Sequence, residues 1–291
     1  MKTSRRIKRA ALASIALLAF GGFVSTMSSA APSGVSPFGV PGHNGFPVNT
    51  WNLKANFGFA NSGIDRKKWT SNWLGQSDLS VTAGFQPKYD QNCFNPKNTS
   101  VASGVLFLSA IAGTCVDQNH IKYPYSGGMV SSAIGGTYSY GYFEAKIYLP
   151  ESQCAAGQIP TKQFICINNH PAFWLTSFKP YSDVTVEIDI AEGLQGRMCQ
   201  LTHFTAPRYV DRNIMHCSTV GPAGWRVYGA LWTPGLVRFY EDGKLTYATK
   251  TPPGFTNPVY IILNNSVPTE WTPRTPSVMK VAYVRVWKQS T

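Results

Sequence analysis

Glu187-Ile188-Asp189-Ile190-Ala191-Glu192 gathers three carboxylates into six residues of a 291-residue chain that has only 14 acidic residues. The acids alternate with Ile188 and Ile190, and Val184 and Val186 lead in. Alternating β-branched and polar residues read as a strand with one buried face and one wet face. Like charges on one face of a strand repel, so a basic chain has little structural reason to collect them there. Two carboxyl groups at a controlled separation are what acid and nucleophilic chemistry at a glycosidic bond requires. A solvated acidic face and a calcium site are the other readings of such a cluster.

Alternation puts Glu187 and Asp189 on one face. Glu192 lies five positions from Glu187, which would turn it to the opposite face. One extra residue around Ile190-Ala191, a β-bulge, returns it, and bulges commonly re-aim side chains beside active sites. The two glutamates are then an effective four positions apart, roughly 13 Å along the strand. Leaning inward over Asp189, their carboxyl groups reach the ~5–5.5 Å separation of a retaining glycosidase.

Such a strand needs neighbours, and the rest of the chain supplies them. Short β-prone runs recur between Gly, Pro, Asn and Ser: Val105-Leu106-Phe107-Leu108, Tyr142 to Ile147, Val237 to Tyr240, and Val281 to Trp287. Glu241-Asp242-Gly243-Lys244 has the composition of a hairpin turn. Helical periodicity is nearly absent. This pattern predicts an all-β fold, a β-sandwich of the jelly-roll kind, without internal repeats. Glu151 to Asn169 breaks the rhythm and reads as a long surface loop stapled at its base by Cys154 and Cys166. Such a loop either shapes a cleft or decorates the surface.

The hexapeptide resembles the bulged signature of glycoside hydrolase family 16, E-x-D-x-x-E. Gly141 to Pro150 is similar to that family's G-Y-F-E-A-R-I-x-x-P strand, and Ala172-Phe173-Trp174-Leu175 to its A-F-W segment. Trp232-Thr233-Pro234, Phe239 to Lys244, Ile262-Leu263-Asn264 and Tyr283 to Val286 resemble its later strands, so the likeness covers roughly residues 55–288 in order. The resemblance implies a concanavalin-like jelly roll with an open cleft on its concave face and retaining, endo-acting cleavage of β-glycans. It also implies Glu187 as nucleophile, Glu192 as acid and then base, and Asp189 as the group between them. Trp174 would stack on a sugar or else pack in the core, and Asn264 would bind substrate or else satisfy backbone. His203, just past the strand, is expected to border the cleft near Glu192, and Trp271 to stand at the cleft edge.

The chain departs from the pattern in three places. Met129 stands where many members carry a sugar-binding arginine, which removes a charge-assisted contact. Lys179-Pro180-Tyr181-Ser182-Asp183 lacks the Trp-Pro pair common in β-1,3-glucanases. Ala282 replaces an aspartate that helps to hold structural calcium in some members, so no metal is expected, and no cofactor.

Residues 1–30 have a basic start (Lys2, Arg5, Arg6, Lys8, Arg9), an apolar run from Ala10 to about Phe20, and small residues up to Ala30. That predicts a cleaved secretory signal and an extracellular protein, with Sec and Tat both open as export routes. A Pro/Gly-rich leader over 31–50 and a catalytic domain over 51–291 would follow. Losing the signal lowers Lys+Arg from 26 to 21 against 14 acids, and the net charge from +12 to +7. The remaining basic residues form no cluster, so no nucleic-acid partner is expected. No later apolar run is long enough to span a bilayer. Six cysteines in an exported chain argue for disulfides, and local pairs 93–115, 154–166 and 199–217 are expected, with free buried thiols as the alternative.

The expected function is a secreted, monomeric retaining endo-β-glycanase whose partner is a polysaccharide, a β-1,3- or mixed-linkage glucan. An agarase- or carrageenase-like β-galactan hydrolase and a transglycosylase are the alternatives within the enzyme class. A glycan-binding module without catalysis is the alternative outside it.

Overall fold

The computed structural model describes residues 37–38, 51–59, 63–72, 80–85, 88–177, 183–207, 215–222 and 224–289. The expected signal at 1–30, most of the leader at 31–50, and residues 179–182 lie outside these. The first strands are β1 (Trp51–Gly58), β2 (Thr82–Ala83), β3 (Asn92–Phe94), β4 (Thr99–Ala102), β5 (Val105–Val116) and β6 (Lys122–Ser131). β7 (Gly141–Tyr148), β8 (Glu151–Gln153), β9 (Ile165–Ile167), β10 (His170–Thr176), β11 (Thr185–Leu194) and β12 (Arg197–Thr205) follow. The last are β13 (His216–Cys217), β14 (Trp225–Thr233), β15 (Leu236–Glu241), β16 (Lys244–Lys250), β17 (Tyr260–Ser266) and β18 (Ser277–Gln289). The fold is therefore all-β, as the residue pattern predicts.

One continuous ladder runs β13-β12-β11-β10-β17-β6-β5-β18-β7-β14-β15-β16 and doubles over into two layers. β5 makes the turn between them. Its first half pairs with β18 in one layer and its second half with β6 in the other. Strands that switch sheets in this way form the corners of sandwiches. The core lies between the layers, where Phe173 and Leu175 of β10, Ile188 and Ile190 of β11, and Ile261 and Leu263 of β17 meet Phe143, Ala230 and Phe239 of the other layer. The opposite face of β10, β11 and β17 is left to the site.

Turn chemistry matches the residues. Asp242 and Gly243 both take positive φ (46° and 75°) between β15 and β16, as a tight hairpin turn requires. The three disulfides are the expected local pairs, Cys93–Cys115, Cys154–Cys166 and Cys199–Cys217. The loop from Glu151 to Asn169 carries a small hairpin of its own, β8 against β9, with Cys154–Cys166 at its end.

On the outer layer, Glu144 of β7 is fully buried, and its Oε2 accepts from the Phe38 backbone N–H at 2.9 Å. Arg285 Nη1 stands 3.9 Å from its other oxygen. Burial pushes this carboxyl up from 4.5 to about 7, against the opposing pull of the Phe38 amide, Arg285 and Tyr283. A carboxyl that binds its proton more tightly folded than unfolded loses stability as pH rises between those two values. Raising the pH from about 4.5 to 7 should therefore cost the wild type more unfolding free energy than Glu144→Gln, by on the order of 3 kcal/mol. Urea melts at both ends of that window provide the check; parallel pH dependence in the two proteins would contradict it.

Candidate active site

β11 lies between β10 and β12. On one side Trp174 sits opposite Asp189 and Ala172 opposite Glu192. On the other, His203 sits opposite Glu187 and Leu201 opposite Asp189. Between Asp189 and Glu192, β11 has Ile190 and Ala191 where β12 has only Gln200, so the register shifts by one. Ile188, Ile190 and Ala191 all pack into the core. Glu192 thereby returns to the face of Glu187 and Asp189, and the three acids line one open cleft of about 560 Å³.

Their environments differ. Glu187 and Glu192 keep part of their surface, with side chains 28% and 16% exposed, whereas Asp189 is buried. Burial first, and then the charges of Glu187 and Glu192, hold the Asp189 carboxyl well above the usual carboxylate range. These surroundings favour its neutral form. His203 Nε2 lies 3.8 Å from Glu187 Oε1 and 3.7 Å from Asp189 Oδ2. His203 is thus beside Glu187 rather than near Glu192. The antiparallel return of β12 pairs Glu192 with Cys199 and carries His203 past it to the start of β11.

Glu187, Asp189 and His203 bring one donor atom each within 4.8 Å of one another, a set able to hold a cation.

Trp174 lies on the cleft face but is only 9% exposed. Its indole N–H donates to Asn264 Oδ1 at 2.8 Å, and Phe85 stands edge-on to the ring at 4.9 Å. Asn264 is buried, and its amide N–H groups donate to Ser266 Oγ at 2.8 Å and to the His170 carbonyl at 3.3 Å. Asn264 is accordingly a strut for Trp174 and β10 as well as a lining residue. Met129, opposite Asn264 on β6, is buried in an apolar layer with Phe94, Ala172, Trp174, Tyr260 and Ile262 under the cleft floor. Trp271 lines the cleft but is 5% exposed, with its ring 6.2 Å from that of His170. The hairpin loop reaches it: the Thr272 N–H donates to the Ala156 carbonyl at 3.4 Å, and a Cβ on Gly157 would lie 3.2 Å from Trp271 Cβ. The loop therefore braces a cleft wall.

The sequence reading missed His170, whose Nε2 lies 2.8 Å from Glu192 Oε1, and Asp90 behind it. Counting back by twos from Trp174 would have put His170 on the cleft face. Asp90 comes from a distant loop and gives no local signal.

No family model matches the chain. Endo-1,3-1,4-beta-glycanase ExsH of Rhizobium meliloti (strain 1021) is 26% identical over 226 residues, 73% of this chain and 43% of that protein. Endo-1,3-1,4-beta-glycanase EglC of the same organism is 27% identical over 248 residues, 78% of this chain and 48% of that protein. The chain thus spans a little under half the length of the curated relatives it matches. The structure is similar to porphyranase B from Zobellia galactanivorans, with a TM-score of 0.68 and 19% identity over 88% of this chain and 100% of the other. It is also similar to the laminarinase catalytic domain from Thermotoga petrophila RKU-1, with a TM-score of 0.63 and 19% identity over 83% of this chain and 99% of the other. The chain is thus similar in sequence to two endo-1,3-1,4-beta-glycanases and in fold to a porphyranase and a laminarinase domain. At such identities the solved structures show the jelly-roll fold, and the candidate residues stand on the geometry of this chain.

The strut role of Asn264 gives a direct expectation. Asn264→Ala leaves the buried Trp174 N–H without an acceptor, a loss of about 1–3 kcal/mol. Denaturant unfolding should show that loss without any glycan present. An unchanged stability would mean that the amide serves substrate alone.

Proposed function

We propose that the chain is the catalytic domain of a secreted endo-β-glycanase that cleaves a β-1,3- or mixed-linkage glucan with retention of configuration. The observation that carries this reading is the bulge in β11, which brings Glu187 and Glu192 to one cleft face on either side of Asp189. Glu187 attacks the anomeric carbon while Glu192 protonates the departing oxygen, leaving a glycosyl-enzyme. Glu192, now a carboxylate, takes a proton from water as that water displaces Glu187. Burial pushes the Asp189 carboxyl toward its neutral form, which limits the negative charge beside the nucleophile.

The relatives named endo-1,3-1,4-beta-glycanases support a β-1,3- and β-1,4-linked glycan as substrate, and the likeness to an endo-1,3-beta-glucanase domain supports a glucan. The likeness to porphyranase B supports a β-galactan as the second reading, together with Met129 buried where an arginine would meet sugar. Export rests on the first thirty residues, and with the signal removed no membrane attachment is proposed. Among the described residues no helix is long and apolar enough to cross a membrane. A monomer fits an open cleft formed within one chain.

Laminarin, lichenan, xyloglucan, agarose and carrageenan form the test panel, with product size as the readout. Shortening of laminarin or lichenan is expected, and Glu187→Gln should abolish cleavage while binding persists. A wild type that binds a glycan and cleaves none of the panel would return the chain to the glycan-binding class. NMR of the first product should show the β anomer; early α product would exclude double displacement.

A further inference from the structure

Glu192 has a partner of its own. His170, the first residue of β10, places Nε2 2.8 Å from Glu192 Oε1 and Nδ1 3.4 Å from Asp90 Oδ1. The three residues come from separate parts of the fold, and each is held. Asp90 is buried and its segment bridges to Pro268, while Gln91 N–H donates to the Val267 carbonyl at 2.9 Å. The His170 carbonyl accepts from Asn264, and the Trp271 ring closes the side of the imidazole. The titratable groups facing the ring are Asp90 from the 88–92 segment and Glu192 from β11. Tyr89 and Glu270 line the same cleft, and His203 stands at the Glu187 end.

Burial opposes a charge on His170, but the hydrogen bonds and charges of Asp90 and Glu192 outweigh it and raise the imidazole to about 10. At neutral pH both ring nitrogens therefore carry protons, one facing Asp90 and one facing Glu192.

We propose that Asp90 and His170 form a positioning arm for Glu192. The imidazolium occupies Glu192 Oε1, leaves Oε2 as the oxygen that carries the transferable proton, and stabilises the carboxylate that remains once the proton has gone. The role rests on the retaining-glycanase reading above. In the first step the Oε2 proton passes to the glycosidic oxygen as its bond to the anomeric carbon breaks and Glu187 bonds to that carbon. In the second, water gives its proton to Oε2 as its oxygen replaces Glu187. His170 keeps both protons throughout, so Glu192 alternates between carboxyl and carboxylate beside a constant positive charge.

Leaving-group dependence separates this role from a structural one. In His170→Gln, kcat/KM on the natural glycan should fall by ~10- to 100-fold, a part of what general acid catalysis contributes. Attack on a 2,4-dinitrophenyl glycoside of the same sugar, whose leaving group needs no proton, should stay within about threefold of wild type. Asp90→Asn should show the same split in weaker form. Equal losses on both substrates, or no loss on either, overturn the proposal. A second readout needs neither turnover nor a folded His170 variant. Imidazole NMR of the wild type should show His170 protonated until about pH 10, with the transition moved down in Glu192→Gln. A wild-type ring that titrates near 6.5 overturns the arm even if the enzyme cleaves glycan. A wild type inert on every glycan with His170 still charged overturns the glycanase reading instead, and leaves the trio a structural ion pair.

Discussion

Three acids on one face of one strand repel each other, and the cleft is organised around containing that repulsion. The charge is not left as three equal carboxylates. Asp189, in the middle and buried, is pushed toward its neutral form by burial and by its two neighbours. Glu187 has the His203 ring nearby, and Glu192 has His170. Two outer positions with different partners, around a centre pushed toward its neutral form, are what a nucleophile and an acid need, since their protonation states must differ.

The backbone holds this arrangement through the core side of the same strand. Val186, Ile188, Ile190 and Ala191 all sink between the layers. A one-residue slip of β11 would exchange acids for isoleucines across the sheet, so the register is strongly specified. The bulge itself is fixed by the neighbouring strands, since Leu201 and Cys199 pair on either side of it. Away from the strand, the cleft is built in layers. An apolar floor of Met129, Trp174, Tyr260 and Ile262 lies beneath, and the disulfide-tied hairpin supports the wall that carries Trp271.

Much of this is legible in the residues because it depends on short-range rules. Period-two alternation marks β11, and its one violation at Ile190-Ala191 marks the bulge. Asp242-Gly243 marks its turn, and close spacing pairs the cysteines. What the sequence does not reveal depends on contacts between distant segments. Trp174 and Asn264 were candidates for sugar contacts, yet the hydrogen bond between them is a tertiary event that no local pattern encodes. His203 was placed near the wrong glutamate because its position depends on how far β12 runs before it pairs. Asp90 meets His170 across 80 residues of chain, and the pair becomes visible only when β10 lies against β11.

The central claim is that Glu187 forms a covalent bond to the sugar during turnover. An activated 2-deoxy-2-fluoro-β-gluco-oligosaccharide slows the second step and lets the intermediate accumulate. Digestion and mass spectrometry should then find one sugar adduct, on the peptide that contains Glu187 and on that residue. An adduct on Glu192 or Asp189, or turnover of glucan with no adduct and an inverted product, would contradict the account.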